Sequence, residues 1–186
     1  MTREKGKNTA ASIRARLLAL AQNKGEDYQR VLGRYAIERF LYRLGRSPYR
    51  DKFAVKGATL FTLWTGHTHR PTKDLDLLGQ GSSAIGDVEQ TIRGICEIQE
   101  EDGLVFDRAS VEGTKIKEDD EYDGVRVKLL ADLAGARAFR CRSTSGLVMP
   151  CTRNPNWPRF LSSCTWKHLS FVHIGERPAS LRNFRQ

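Results

Sequence analysis

The sequence predicts an α+β domain in which N-terminal helices precede a mixed or antiparallel sheet, and three observations predict it. Residues 9–44 carry apolar side chains at helical spacing, residues 74–78 alternate acid and leucine with period two, and two alternating runs flank an acidic stretch at 118–124. With 186 residues, 39% of them hydrophobic and 28% charged, the chain can bury the core of one soluble domain. Membrane spans are not expected, because no apolar run approaches the necessary length. The opening MTREKGKNTAAS has basic residues but no hydrophobic segment before a cleavage site, so the default compartment is the cytoplasm. Four cysteines without a C-x-x-C pair argue against a disulfide framework or a zinc ribbon.

Residues 9–24 form the first expected helix, capped by Thr9 or Ser12, with Ile13, Leu17, Leu20 and Ala21 as its apolar stripe and Gly25 as its stop. Residues 26–44 form the second, whose apolar face includes Tyr28, Val31, Leu32, Tyr35, Phe40, Leu41 and Leu44. Arg30, Arg34, Arg39, Arg43 and Arg46 run along the rest of it. Such arginines contact a phosphate backbone or keep a surface helix soluble, and the spacing does not choose between the two. Phe53–Val55 reads as a short buried strand that ends at Gly57. Ala58–Trp64 follows as a short helix, with Leu60, Phe61 and Trp64 on one face and Gly66 at its stop.

After the turn HTHRPTK, the period-two run Asp74-Leu75-Asp76-Leu77-Leu78 places Asp74 and Asp76 on one strand face, about 7 Å apart, and the leucines on the other. Residues 79–83 are a flexible turn, and 84–98 a helix with Ile85, Val88, Ile92 and Ile95 inward and Cys96 a small buried residue. Strands at 104–111 and 125–133 then form an antiparallel hairpin around EDDEYDG, with Arg126 and Lys128 on its polar face. Those two cations can meet a phosphate there, although a solvated strand face is the simpler explanation.

Two carboxylates aimed at one point repel each other unless a cation sits between them, and oxygen-only ligands select a hard ion such as Mg²⁺. A paired-metal site steadies both the attacking and the leaving oxygen of a phosphoryl displacement. Gly57 lets a phosphate approach the backbone, and the N–H groups that begin the following helix attract its charge. Taken singly, a D-x-D pair is usually two solvated carboxylates and a Gly before a helix is usually a turn. The combination is more specific. KGATLFTLW followed by HRPTKDLDLLG resembles the abortive-infection toxin nucleotidyltransferases of the AbiEii/AbiGii type, and the resemblance extends more loosely from about residue 28 to residue 137.

That resemblance implies Mg²⁺-dependent transfer of a nucleoside monophosphate from an NTP to an acceptor RNA, with tRNA the expected acceptor. It gives Asp74 and Asp76 the metals, Gly57, Ala58 and Thr59 the triphosphate, and Arg70 or Lys73 the steadying of its charge. An antitoxin partner is implied as well. His67 and His69 are expected to be exposed polar residues or substrate contacts. The charge distribution agrees with a basic frame around an acidic centre: Lys and Arg outnumber acids 12 to 4 in residues 1–50 and 9 to 1 in residues 137–186, while acids prevail 17 to 10 between.

Members of the superfamily use a third carboxylate on a neighbouring strand, which in this family resembles VDIGFGDAV. It is expected just after GARA at 135–138, where the chain instead reads FRCRSTSGLVMPCTRNPNWPRF, with neither Asp nor Glu. Asp107 and Asp132 are the other acids considered for that place. Hydrophobic periodicity also stops there, and three of the four cysteines and four of the six prolines lie beyond it.

A shifted reading frame accounts for the break. Codons legal for Ala138–Cys151, read from the last base of the first, translate as IPLQVDIGFGDAV, and the missing aspartate falls across Ser143 and Thr144. Many third-position bases are free choices, whereas the second base of each shifted codon is mostly dictated by the protein. The expected organisation is therefore a nucleotidyltransferase-like domain over 1–137, incomplete at its C-terminus, and a truncated, out-of-frame, poorly structured tail over 138–186. Cys151, Cys164, His168 and His173 do not have the spacing of a zinc finger. Without the third carboxylate, transfer is expected to be impaired. The competing expectation is a non-catalytic basic nucleic-acid-binding protein, or an inactive fragment, on the same fold.

Overall fold

The structure, a computed structural model, describes residues 2–56, 75–118, 122–134, 136–139 and 147–152. Helix α1 spans Thr2–Lys24 and α2 spans Tyr28–Arg46; a single 3-10 turn at Arg50–Lys52 leads into strand β1, Phe53–Lys56. Strand β2 (Leu75–Gln80), helix α3 (Ile85–Cys96), and strands β3 (Leu104–Glu118), β4 (Tyr122–Leu133), β5 (Ala136–Phe139) and β6 (Leu147–Thr152) follow. The strands form one mixed sheet in the order β1-β2-β6-β4-β3, with β5 also paired to β4. This is the expected α+β class.

α1 begins seven residues earlier than its proposed cap, so Thr9 and Ser12 lie inside it; nothing between Arg3 and Asn8 forbids a helix, and Glu and Lys favour one. Its stripe is as expected: Leu17 and Ala21 are buried with Ala10, and Ile13 and Leu20 pack at the edge. Gly25 at φ 61 closes the helix, with the Glu26 N–H donating to the Ala21 carbonyl at 2.9 Å. Asp27 caps α2, its carboxylate accepting from the Arg30 N–H. Ser47 ends it, donating its hydroxyl to the Leu44 carbonyl at 2.7 Å.

Arg43 departs from the expectation of a solvent-facing arginine. It is 2% exposed, and each of its guanidinium donors has an acceptor. Nη1 and Nη2 reach the two oxygens of Asp102 at 2.7 and 3.0 Å, and the remaining bonds go to the carbonyls of Arg39, Ile98 and Leu104. The Phe106 ring lies 5.0 Å below the guanidinium carbon. Tyr35 completes the tie by donating its hydroxyl to the Asp102 carbonyl at 2.8 Å. α2 is thereby fastened to the loop that starts β3. In the same loop Gly103 has φ 68, and a Cβ there would meet the Ala10 Cα at 2.6 Å, so α1 seats directly on it.

On α3, Val88, Ile92, Ile95 and Cys96 are buried as expected, and burial pushes the Cys96 thiol up to about 12. Ile85 is the exception; at the first turn it is exposed. The hairpin is longer than the alternation suggested. β3 runs on to Glu118 and β4 begins at Tyr122, because ladder bonds from Glu112↔Lys128 to Glu118↔Tyr122 carry the acidic residues along. A bulge between Asp107 and Glu112 is held by Ser110, whose hydroxyl donates to the Asp107 carbonyl at 2.6 Å and accepts from the Leu130 N–H at 2.9 Å.

Of residues 138–186, for which the sequence predicts a poorly structured tail, 138–139 and 147–152 lie in strands and the others outside the described residues. β6 fills the gap between β2, to which it is parallel, and β4, to which it is antiparallel. An apolar run such as LVM satisfies two strands that otherwise present unpaired edges. Pro150 stands opposite Gly124 in that ladder and has no N–H to contribute to it.

Candidate metal and nucleotide site

Everything in the expected site depends on β1 and β2. Antiparallel pairing sets Phe53 opposite Gly79 and Lys56 opposite Asp76, so the two ends of the 57–74 connection are brought side by side. Leu75 and Leu77 are buried toward the helices and Asp76, between them, faces the other side, half-buried. The alternation read from the sequence is therefore the alternation of the strand. Gly57, Ala58, Thr59, Arg70, Lys73 and Asp74 lie outside the described residues, as do the expected helix at 58–64, His67 and His69.

The strand beside β2 on its other edge is β6, whereas Ser143 and Thr144, across which the missing aspartate is expected, lie outside the described residues. Here Val148 is the register partner of Asp76, and Leu147–Thr152 contains no acid. Asp132 and Asp107, the other candidates, both lie away from Asp76. In the cross-sheet row of Asp76 the β4 position is Arg126, and Asp132 is six residues further along that strand, about 20 Å away. Asp107 pairs with Leu130, four residues from Arg126, and lies a further strand out. Among the described residues no group of three His, Cys, Asp or Glu side chains could hold a metal ion. What the described residues offer to Mg²⁺ is the carboxylate of Asp76, half-buried on the non-core face of β2.

The register also shows how the non-core face of the sheet is charged. Positions 56, 76, 148, 126 and 114 form one row across β1, β2, β6, β4 and β3. Arg126 and Lys128 are exposed on it, with the Lys128 ammonium 3.9 Å from Glu112. Sequence alone put these two cations on a polar face without relating that face to the acid strand.

The arginines of α2 are largely spent inside the chain. Arg34 pairs with Glu26 at 2.7 Å, Arg43 with Asp102, and Arg46 with Glu100 at 3.0 Å. Arg39 lies over the rings of Tyr35 and Tyr42, at 5.7 and 5.2 Å. Next to it, burial pushes the Glu38 carboxyl up to about 7, against the opposing pull of Arg39 and Arg34. The missed signal was positional: Arg43 falls on the same helical face as Leu32 and Ala36, both buried. Of the four residues whose spacing argues against a zinc finger, Cys151 is in β6 and Cys164, His168 and His173 lie outside the described residues. No helix among the described residues is long and apolar enough to cross a membrane.

A comparison with protein families matches residues 39–140 to the nucleotidyl transferase AbiEii toxin family of type IV toxin–antitoxin systems. A comparison with curated proteins finds no match. The matched span covers more than half of the chain and includes β1, β2, α3 and the β3–β4 hairpin. The chain belongs to the AbiEii nucleotidyl transferase toxin family.

Proposed function

We propose that this AbiEii-family chain is built to move a nucleoside monophosphate from an NTP to an acceptor RNA, tRNA being the acceptor class, and that the transfer is impaired in the chain as it stands. Asp74 and Asp76 hold Mg²⁺, the backbone at Gly57, Ala58 and Thr59 cradles the triphosphate, and Arg70 or Lys73 steadies its charge. Bound Mg²⁺ neutralises charge on the triphosphate oxygens. The observation that carries this proposal is the placement of Asp76 on the non-core face of β2, within the span matched by the family. A cognate antitoxin fits a member of a type IV system.

The impairment is supported by β6. It occupies the seat beside Asp76, yet it carries Val148 and a proline within a strand that is paired on both sides. A strand in the right place with the wrong residues is what a shifted frame produces. In the restored frame the aspartates of VDIGFGDAV fall across Ser143 and Thr144 and across Val148 and Met149. The competing function, a non-catalytic basic nucleic-acid binder, is favoured by the same missing acid.

Restoring the frame near codon 138 should convert an inactive chain into a transferase. Label transfer from each α-labelled NTP to total RNA is compared for the two chains, with and without Mg²⁺. Metal and electrostatic terms supply several kcal/mol of transition-state stabilisation, so the restored chain should be faster by orders of magnitude. Equal, Asp76-dependent transfer by the 186-residue chain would sink the frameshift account. Failure of both chains would favour the non-catalytic binder.

A further inference from the structure

We propose that Arg126 is the residue that receives the outer phosphates of the nucleotide held at Asp76. This inference rests on the site proposed above and adds to it a position that neither the D-x-D strand nor the glycine turn contains. Arg126 is the partner of Val148 on β4, and Val148 is the partner of Asp76 on β2, so the three positions share one row. Residues directly opposite each other on paired strands project to the same side of the sheet. Burial agrees: Val125 and Val127 are buried in the core with Leu75 and Leu77, while Arg126 is exposed and Asp76 half-buried on the opposite face. Two strand spacings separate positions 76 and 126, about 10 Å, a gap that a metal-held triphosphate and an extended arginine bridge together.

The surroundings leave Arg126 available for an anion. Its two cross-strand partners, Thr114 and Val148, are uncharged residue types, and its same-face neighbours along β4 are Gly124 and Lys128. Glu112, on β3, is the partner of Lys128 and sits 3.9 Å from that ammonium. Among the described residues Arg126 forms no ion pair, whereas Arg34, Arg43, Arg46, Arg93 and Arg108 each do. A triphosphate stays negative even with Mg²⁺ bound, and a planar guanidinium can grip two of its oxygens at once. Lys128, one step further from the row and beside a carboxylate, serves as a control.

Binding of inorganic tripolyphosphate with Mg²⁺, followed by calorimetry on the 186-residue chain, takes the base and the acceptor out of the comparison. Arg126→Gln should weaken binding about tenfold to a hundredfold, the range for losing charge-assisted hydrogen bonds, and Arg126→Lys should fall between it and the parent. Lys128→Gln should stay within about twofold of the parent, as expected for a screened surface charge. Asp76→Asn should remove Mg²⁺-dependent binding. Circular dichroism melts confirm that each variant is folded. If Asp76→Asn abolishes binding and Arg126→Gln leaves it unchanged, the assignment of Arg126 is wrong and the metal site stands. If Lys128→Gln loses as much as Arg126→Gln, the effect is general charge and the assignment is again overturned. If the parent does not bind, or Asp76→Asn binds like the parent, the site itself is misplaced and Arg126 falls with it.

Discussion

Replacing Arg43 by Ala removes the guanidinium from a site in which it is 2% exposed and its partner Asp102 8% exposed. Two charge-assisted bonds to the carboxylate disappear, and the carbonyls of Ile98 and Leu104 each lose a donor. The main cost is the carboxylate left behind, buried without its counter-ion, and breaking such a pair costs about 3–5 kcal/mol. Loss of contact with the Phe106 ring adds to this. Since a domain of this size is stable by about 5–15 kcal/mol, the variant should unfold at a much lower urea midpoint with an unchanged slope. Arg43→Met combined with Asp102→Asn removes both charges and keeps an amide oxygen to accept from the Leu104 N–H, a bond of 3.1 Å to the carboxylate in the parent. That double variant should recover at least half of the loss, and a double-mutant cycle read by far-ultraviolet circular dichroism measures the coupling. A cost below about 1 kcal/mol for Arg43→Ala, or no recovery in the double variant, would refute the view of this pair as the tie between α2 and the loop before β3.

Two further predictions follow from single residues. The Glu38 carboxyl is raised from 4.5 to about 7, so its ionisation is resisted by the fold; the stability is intact below pH 4.5, is lost as pH rises toward 7, and the loss is complete above it. Glu38→Gln should therefore raise the melting temperature at pH 8 and not at pH 4, with a gain of about 1–3 kcal/mol after allowance for partial exposure; an equal shift at both pH values counts against burial as the cause. Gly103→Ala combines a left-handed φ of 68 with a Cβ 2.6 Å from the Ala10 Cα, and should cost about 2 kcal/mol or more by urea denaturation; a neutral result would mean that α1 does not seat on that loop.

The sequence by itself determined the elements whose evidence is local. The helices at α1, α2 and α3, the alternation that buries Leu75 and Leu77 and turns Asp76 away from them, and the hairpin of β3 and β4 all follow from spacing along the chain, which a helix or a strand expresses directly. Residues around the site, through their likeness to the AbiEii family, also determined the family to which the chain belongs. The tertiary structure decided which residues meet. Arg43 looks like any other arginine of α2 until Asp102, 59 residues later, arrives beside it. The bulge at Asp107–Glu112 and the extension of the hairpin depend on ladder partners across the strand pair. Most of all, the neighbour of Asp76 is decided by strand order: β6 inserts between β2 and β4, bringing Val148 beside Asp76 and aligning Arg126 with the acid strand. Pairing between distant strands is a choice among unpaired edges, and a periodicity of two carries no label for the partner.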